Sequence, residues 1–272
     1  MPDPTGFSVL DLAPFRGGRG ALRLGLRPLP EAKWRDQGTV LPSRVAAKVP
    51  IFDTVPESLI VLPQAAPAVA ELSRLVGTDT PDLRAAAMAT YEDLLILLPR
   101  DGVHVLVAGA LAFPTDWHLD RKIGHPLAAI HAPIPTYAEK LSPAVDHVFA
   151  TLTPERMLLR TNWNVLETDD LRYLPDRPAI DRFDNVTNDN AGDTLYVRVE
   201  RQTLRRLPRS GAAVFTIGVY IEPLRALTPA LVQDLSQAVH SVPQEEAIRR
   251  GTPGYRDALA AYADACAVPT EN

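Results

Sequence analysis

The chain has 272 residues, 46% hydrophobic and 22% charged, and 28 Lys and Arg against 33 Asp and Glu leave a net charge of −5. That length supplies the core of one large domain or two small ones, and the acidic balance argues against nucleic-acid binding through the overall field. The apolar run "VLVAGALAF" (105–113) is roughly half a membrane span, and a single cysteine, Cys266, excludes an internal disulfide framework or a self-contained iron–sulfur cluster.

The N-terminal "MPDPTGFSVLDLAPF" has neither a basic n-region nor an apolar h-region, so no signal peptide is expected and the cytoplasm is the default location. "FRGGRGALRLGLRPL" (15–29) opens on a glycine turn and then alternates, Leu22, Leu24 and Leu26 against Arg23, Gly25 and Arg27, which predicts a short strand. No Lys-Ser or Lys-Thr follows these glycines, so they are a turn rather than a phosphate loop. Residues 66–98 predict two helices. The first, "APAVAELSRLV" (66–76), stops at Gly77, and the second starts from a Thr80 cap with Pro81 at its first position and runs through "YEDLLILL".

"DGVHVLVAGALAF" (101–113) reads as a buried strand broken at Phe113-Pro114, and 136–150 returns to helix. Alternation then predicts strands at 158–166, 193–200 and 213–221, with Leu159, Thr161, Trp163 and Val165 sharing one face of the first. A basic stretch, "RQTLRRLPRSG" (201–211), separates the last two and is expected to hold a helical turn. Helices over 228–240 and 253–266 close the chain. Strands close together, with helices before and after, indicate an α+β domain with an antiparallel sheet.

Two stretches could carry chemistry. His118, His125 and His131 fall close together, but spacings of 7 and 6 match neither structural zinc sites nor H-E-x-x-H. His118 and His125 sit among charged residues and glycine. His131 follows an apolar run and precedes Pro133 and Pro135; an imidazole beside Leu127, Ile130 and Ile134 needs a hydrogen bond, a metal or a cofactor. The residues alone leave a core histidine and a ligand both open. The second stretch crowds Arg198, Arg201, Arg205, Arg206 and Arg209, a density that suits a carboxylate or phosphate, or else a solvated turn partly neutralised by Glu200. Gln202 and Thr203 could line a pocket there. The chain has no G-x-S-x-G and no G-x-G-x-x-G after a strand.

"WHLDRKIGHPLAAIHAPIPTY", "RTNWNV" and "RVERQTLRRLPRSGAAVFTI" occur in an order and spacing that resemble the haem-dependent oxidative N-demethylase family. "LGLRPL" (24–29) with Trp34, "YEDLLILLP" and "AFPTDW" look like its N-terminal half, so the resemblance covers roughly residues 15–240. It implies a single domain over 1–272: a PAS-like antiparallel sheet flanked by helices, with N- and C-terminal helical extensions. It further implies a haem b subunit that demethylates a small secondary amine such as dimethylamine with O2. Electrons would come from NADPH through a separate flavin and [2Fe–2S] reductase.

On this resemblance His131 becomes the axial iron ligand, with His118 or His125 as fallbacks. Arg201 and Arg205 would meet the haem propionates, with Gln202 also at the cofactor. Trp163, Asn162 and Tyr137 are the candidates for the substrate side. Arg206 and Arg209 are expected to face outward as a docking surface for the reductase. Two other readings stay open: a haem-binding PAS-type sensor or carrier without turnover, and a relative that binds a small ligand such as tetrahydrofolate.

Overall fold

A computed structural model describes residues 6–20, 24–132 and 142–267. Among them, seven strands form one antiparallel sheet: β1 (Arg27–Pro28), β2 (Leu59–Val61), β3 (Asp93–Arg100), β4 (Val103–Ala110), β5 (Leu158–Leu166), β6 (Tyr196–Arg206) and β7 (Ala213–Pro223). Their order across the sheet is β1-β5-β6-β7-β3-β4-β2. The fold class is therefore α+β, as composition and alternation predict.

The expectation of helix across 93–98 is corrected, because this segment is β3. Its side chains are buried on both faces between β7 and β4, and a strand covered on both faces becomes a continuous apolar run with no alternation to read. The helix before it is shorter than predicted, Leu83–Met88, and its cap is Asp82, whose carboxylate accepts from the Ala85 N–H at 2.9 Å. Between β3 and β4 the chain reverses through Asp101 and Gly102, both at positive φ (51° and 83°), the conformation a two-residue hairpin of matching twist requires.

The helical turn expected in 201–211 is corrected too. β6 runs unbroken through Arg206, pairs with β7 over its whole length, and turns only at 207–212, where the Leu207 N–H donates to Ala212 O at 2.8 Å. The strand expected at 22–26 lies partly outside the described residues; pairing there is confined to β1.

Helix α1 (Val9–Leu12) starts the described chain, and α2 (Leu41–Thr54) follows β1. The helix predicted at 66–76 is α3 (Ala66–Val76), ended by Gly77 at φ 88°, and Leu83–Met88 is α4. The β4–β5 connection carries α5 (Leu127–Ile130) and α6 (Ser142–Thr151). A short α7 (Ala191–Thr194) precedes β6, and α8 (Pro229–His240), α9 (Gln244–Arg249) and α10 (Arg256–Ala267) end the described chain. Thr228 caps α8 ahead of Pro229, within the helix expected over 228–240. No described helix is long and apolar enough to cross a membrane.

Alternation on β5 and β6 separates two environments. Trp163, Val165, Val197 and Val199 join a core with Phe15 and the inner faces of α8 and α10. The opposite face, beside β7 and β3, is covered by the β4–β5 connection and stays partly open.

Candidate functional site

A cavity of about 660 Å³ lies between that open face and the β4–β5 connection, within the range of small-molecule and cofactor sites. Because side chains alternate, one face of paired strands supplies its floor: Arg160, Asn162 and Asn164 of β5, Glu200, Gln202 and Leu204 of β6, Phe215 and Ile217 of β7, and Leu95 and Leu97 of β3. The floor is thus polar under β5 and β6 and apolar under β7 and β3. Leu127, Ile130, Val145, Val148 and Phe149 of α5 and α6 extend the apolar wall.

His131 stands on this wall as the residue that ends α5. Its Nδ1 lies 2.9 Å from Leu127 O, and since a carbonyl only accepts, Nδ1 carries the proton and Nε2 the lone pair. Burial brings its pKa down to about 4; the bond to Leu127 opposes this, while Lys122 and Arg160 add to it. The ring is neutral at physiological pH.

The cavity lining is also basic. Arg121, Lys122, Arg160, Arg182, Arg249 and Arg250 line it, outnumbering Asp116, Glu200 and Glu246 among the described residues. Arg182 lies 3.5 Å from Asp116. Glu246, almost fully buried, accepts from Arg249 (2.6 and 2.7 Å) and from Arg250 Nε (2.6 Å), which orders two guanidinium groups at once. The Lys122 ammonium lies 4.8 Å from the centre of the Trp117 ring, and burial, aided by the nearby Arg249 charge, brings its pKa down to about 8. Such a half-apolar, half-cationic cavity suits a flat hydrophobic ligand with anionic substituents.

On the polar floor, Glu200 Oε1 accepts from the Thr115 hydroxyl and Oε2 from Gln202 Nε2 at 2.8 Å. Arg198, fully buried behind it, has its Nε 3.8 Å from Glu200 and spends its terminal nitrogens on the carbonyls of Phe113, Pro114, Asp170 and Leu171.

Of the residues singled out from the sequence, the cavity brings together His131, His118, Asn162 and Gln202. His125 is exposed, its carbonyl accepting from the Leu106 N–H. Among the described residues no three His, Cys, Asp or Glu side chains gather as a metal site. Tyr137 lies outside the described residues.

Trp163 is on the opposite face, edge-on to Phe15 with ring centres 6.0 Å apart, and meets the cavity lining through Arg250, whose Nη1 donates to its carbonyl at 2.9 Å and whose guanidinium lies 5.8 Å from its ring centre. Arg201 and Arg205 share that opposite face. Arg201 donates to the carbonyls of Lys33 and Trp34 and lies 3.6 Å from Glu92; Arg205 pairs with Glu31 at 3.4 Å and stacks over Trp34 at 4.3 Å. Arg206 is not outward either: it donates to the carbonyls of Phe149, Leu152 and Gly211. Only Arg209 of that stretch is exposed.

Reading 201–206 as a turn hid this division, since continuing the alternation of 193–200 by six residues places Glu200 and Gln202 opposite Arg201 and Arg205. Arg182, Glu246, Arg249 and Arg250 gave no local signal, because nothing in a helical run of charges says which of them meets a distant sheet. The chain matches the family described as haem-dependent oxidative N-demethylase, alpha subunit-like, over residues 74–260, more than two thirds of its length.

Proposed function

The chain belongs to the haem-dependent oxidative N-demethylase, alpha subunit-like family, and from that premise we propose that it is the haem b subunit of a mono-oxygenase that removes an N-methyl group from a small secondary amine as formaldehyde. The observation that carries the reading is His131: a neutral imidazole, oriented by Leu127 O, on the apolar wall of a cavity that also carries a cationic lining. The residues present fit the cofactor. His131 would hold the iron through Nε2, and the bond at Nδ1 sets the tautomer and the plane of the ring. Leu95, Leu97, Leu106 and Phe215 would cover the macrocycle and keep water from it, while Arg182, Arg249 and Lys122 would take the propionates in place of Arg201 and Arg205. The PAS-like reading rests on five adjoining strands: hairpin β3–β4, a helical connection carrying His131, and the meander β5–β6–β7 returning to pair with β3.

Bound haem supplies the oxygen and one-electron chemistry that oxidising an N-methyl C–H bond requires. The chain contributes the walls that exclude water, the polar floor that orients the amine, and the basic side chains that order the anionic groups. In this reading electrons originate from NADPH and arrive through a separate flavin and [2Fe–2S] reductase.

The purified protein is expected to show a Soret band that shifts on reduction under CO. His131→Ala should lose the band and regain it partly with added imidazole, whereas His118→Ala should keep it. A colourless protein that takes up no haemin overturns the reading; loss of the band in His118→Ala alone would move the ligand to His118. Haem retention without formaldehyde release, with reductase and amine both supplied, would favour the sensor or carrier.

A further inference from the structure

Gln202 is 9% exposed and Glu200 7% exposed, side by side on the cavity face of β6. A carboxylate only accepts, so Gln202 must turn its amide nitrogen to Glu200, as it does at 2.8 Å. That leaves Gln202 Oε1 buried with no hydrogen-bond partner. Glu200 itself takes one hydroxyl and one amide, fewer donors than its lone pairs can accept. Asn162 lies directly across from Glu200 on β5 and faces the same space. Two cations stand beside this part of the floor, Arg198 with its Nε 3.8 Å from Glu200 and Arg160 directly across from Gln202 on β5, yet Gln202 Oε1 is still unpaired. A buried acceptor left unpaired is costly, so the complement is a group that brings N–H bonds to it.

We propose that Glu200 and Gln202 form the subsite that receives the substrate nitrogen, as an ammonium ion carrying at least one N–H. The proposal deepens the N-demethylase reading and rests on it for the identity of the ligand, while the unpaired Gln202 Oε1 stands on the side chains alone. It makes affinity depend on the number of N–H bonds rather than on size. Dimethylammonium offers two, trimethylammonium one and tetramethylammonium none. Apolar contact and cation–π attraction alone would favour the more methylated ions, so the two accounts predict opposite orders.

The test is calorimetric titration of the purified protein, with whatever haem it carries, using these three ions, and haem content read separately from the absorption spectrum. Dimethylammonium should bind tightest and tetramethylammonium roughly 10- to 100-fold more weakly, the worth of a hydrogen bond to a charged group. Glu200→Gln and Gln202→Met should each flatten the series while haem content stays at the wild-type level. Since Glu200 also faces the buried Arg198, the wild-type order and Gln202→Met decide should Glu200→Gln fail to fold. Equal or reversed affinities in the wild type, no binding of any of the three, or an unchanged series in both variants would overturn the subsite. A haem-free wild type that still binds in the expected order would overturn the haem reading and leave the subsite intact.

Discussion

Replacing Lys48 with Met should unfold the molecule more readily than any exposed substitution, by an amount that depends on pH. Lys48 is fully buried on α2, and its ammonium donates to Ala87 O (3.1 Å), Thr90 O (2.9 Å) and Glu92 O (2.7 Å), tying α2 to the start of β3, the strand that carries Leu95 and Leu97 to the cavity. Burial brings its pKa down to about 8, opposed by Asp93 and Glu92, so it is charged at neutral pH. Met keeps the length and removes the charge, taking a charged donor from three carbonyls and the Lys48 cation from Glu92 and Asp93, of which Glu92 keeps Arg201 at 3.6 Å. Breaking a buried charge network in this way costs about 3–5 kcal/mol, which for a chain of this size is a fall in Tm of roughly 6–20 °C.

The pH dependence follows from the acids. Burial already pushes Glu92 up to about 6 from 4.5, and Asp93 upward as well, with Lys48 holding both lower than burial alone would. In Lys48→Met both rise further. A carboxyl whose folded pKa exceeds its unfolded value takes up a proton on folding, so its contribution is fully present below the unfolded value and is lost as pH rises through the folded one. The deficit of the variant should therefore be smaller at pH 5 than at pH 7.5. Urea melts of both proteins at the two pH values measure it. A loss below about 1 kcal/mol, or a deficit that grows on acidification, would refute the assignment of Lys48 as the counter-charge of this network.

Gly251→Ala should lower Tm and reduce haem content together, because Gly251 sits at φ 70° and a Cβ there would run into Ala179 O, displacing the neighbouring Arg249 and Arg250. Arg206→Ala should cost about 1.5–3 kcal/mol in a urea melt, since it strips donors from three backbone carbonyls. The isolated chain should not oxidise NADPH with any amine, and should release formaldehyde in step with amine loss only when a flavin and iron–sulfur reductase is added; turnover by the chain alone would contradict this. Arg209→Glu, at the exposed end of the basic stretch, should raise the reductase concentration needed for half-maximal rate if docking uses that surface, and an unchanged value would remove it as the docking site.

Where an element has one wet and one dry side, the sequence alone located it. β5 and β7 could be read from alternation, and α3 from its period and from Gly77, because each signal lies within a few residues and reflects local sterics or one-sided burial. The segment around His131 stood out for a similar reason: an imidazole after Leu127 and Ile130 conflicts with its surroundings unless something satisfies it.

Burial on both sides erased the signal in β3, where "DLLILL" has the same apolar character as a core helix. The informative residues were its neighbours, Asp101 and Gly102, whose positive φ makes the hairpin. At the site, only tertiary structure could decide which side of β6 faces the cavity and which cations reach it. Arg201 and Glu200 are adjacent in sequence, yet one is enclosed with Glu92 and Trp34 while the other looks into the cavity beside Asn162. Glu246, Arg249 and Arg250 come from more than 40 residues further on and arrive there only because α9 lies beside the sheet. Such pairings repay their loop-closure entropy through contacts between distant segments, and no local window of sequence contains both partners.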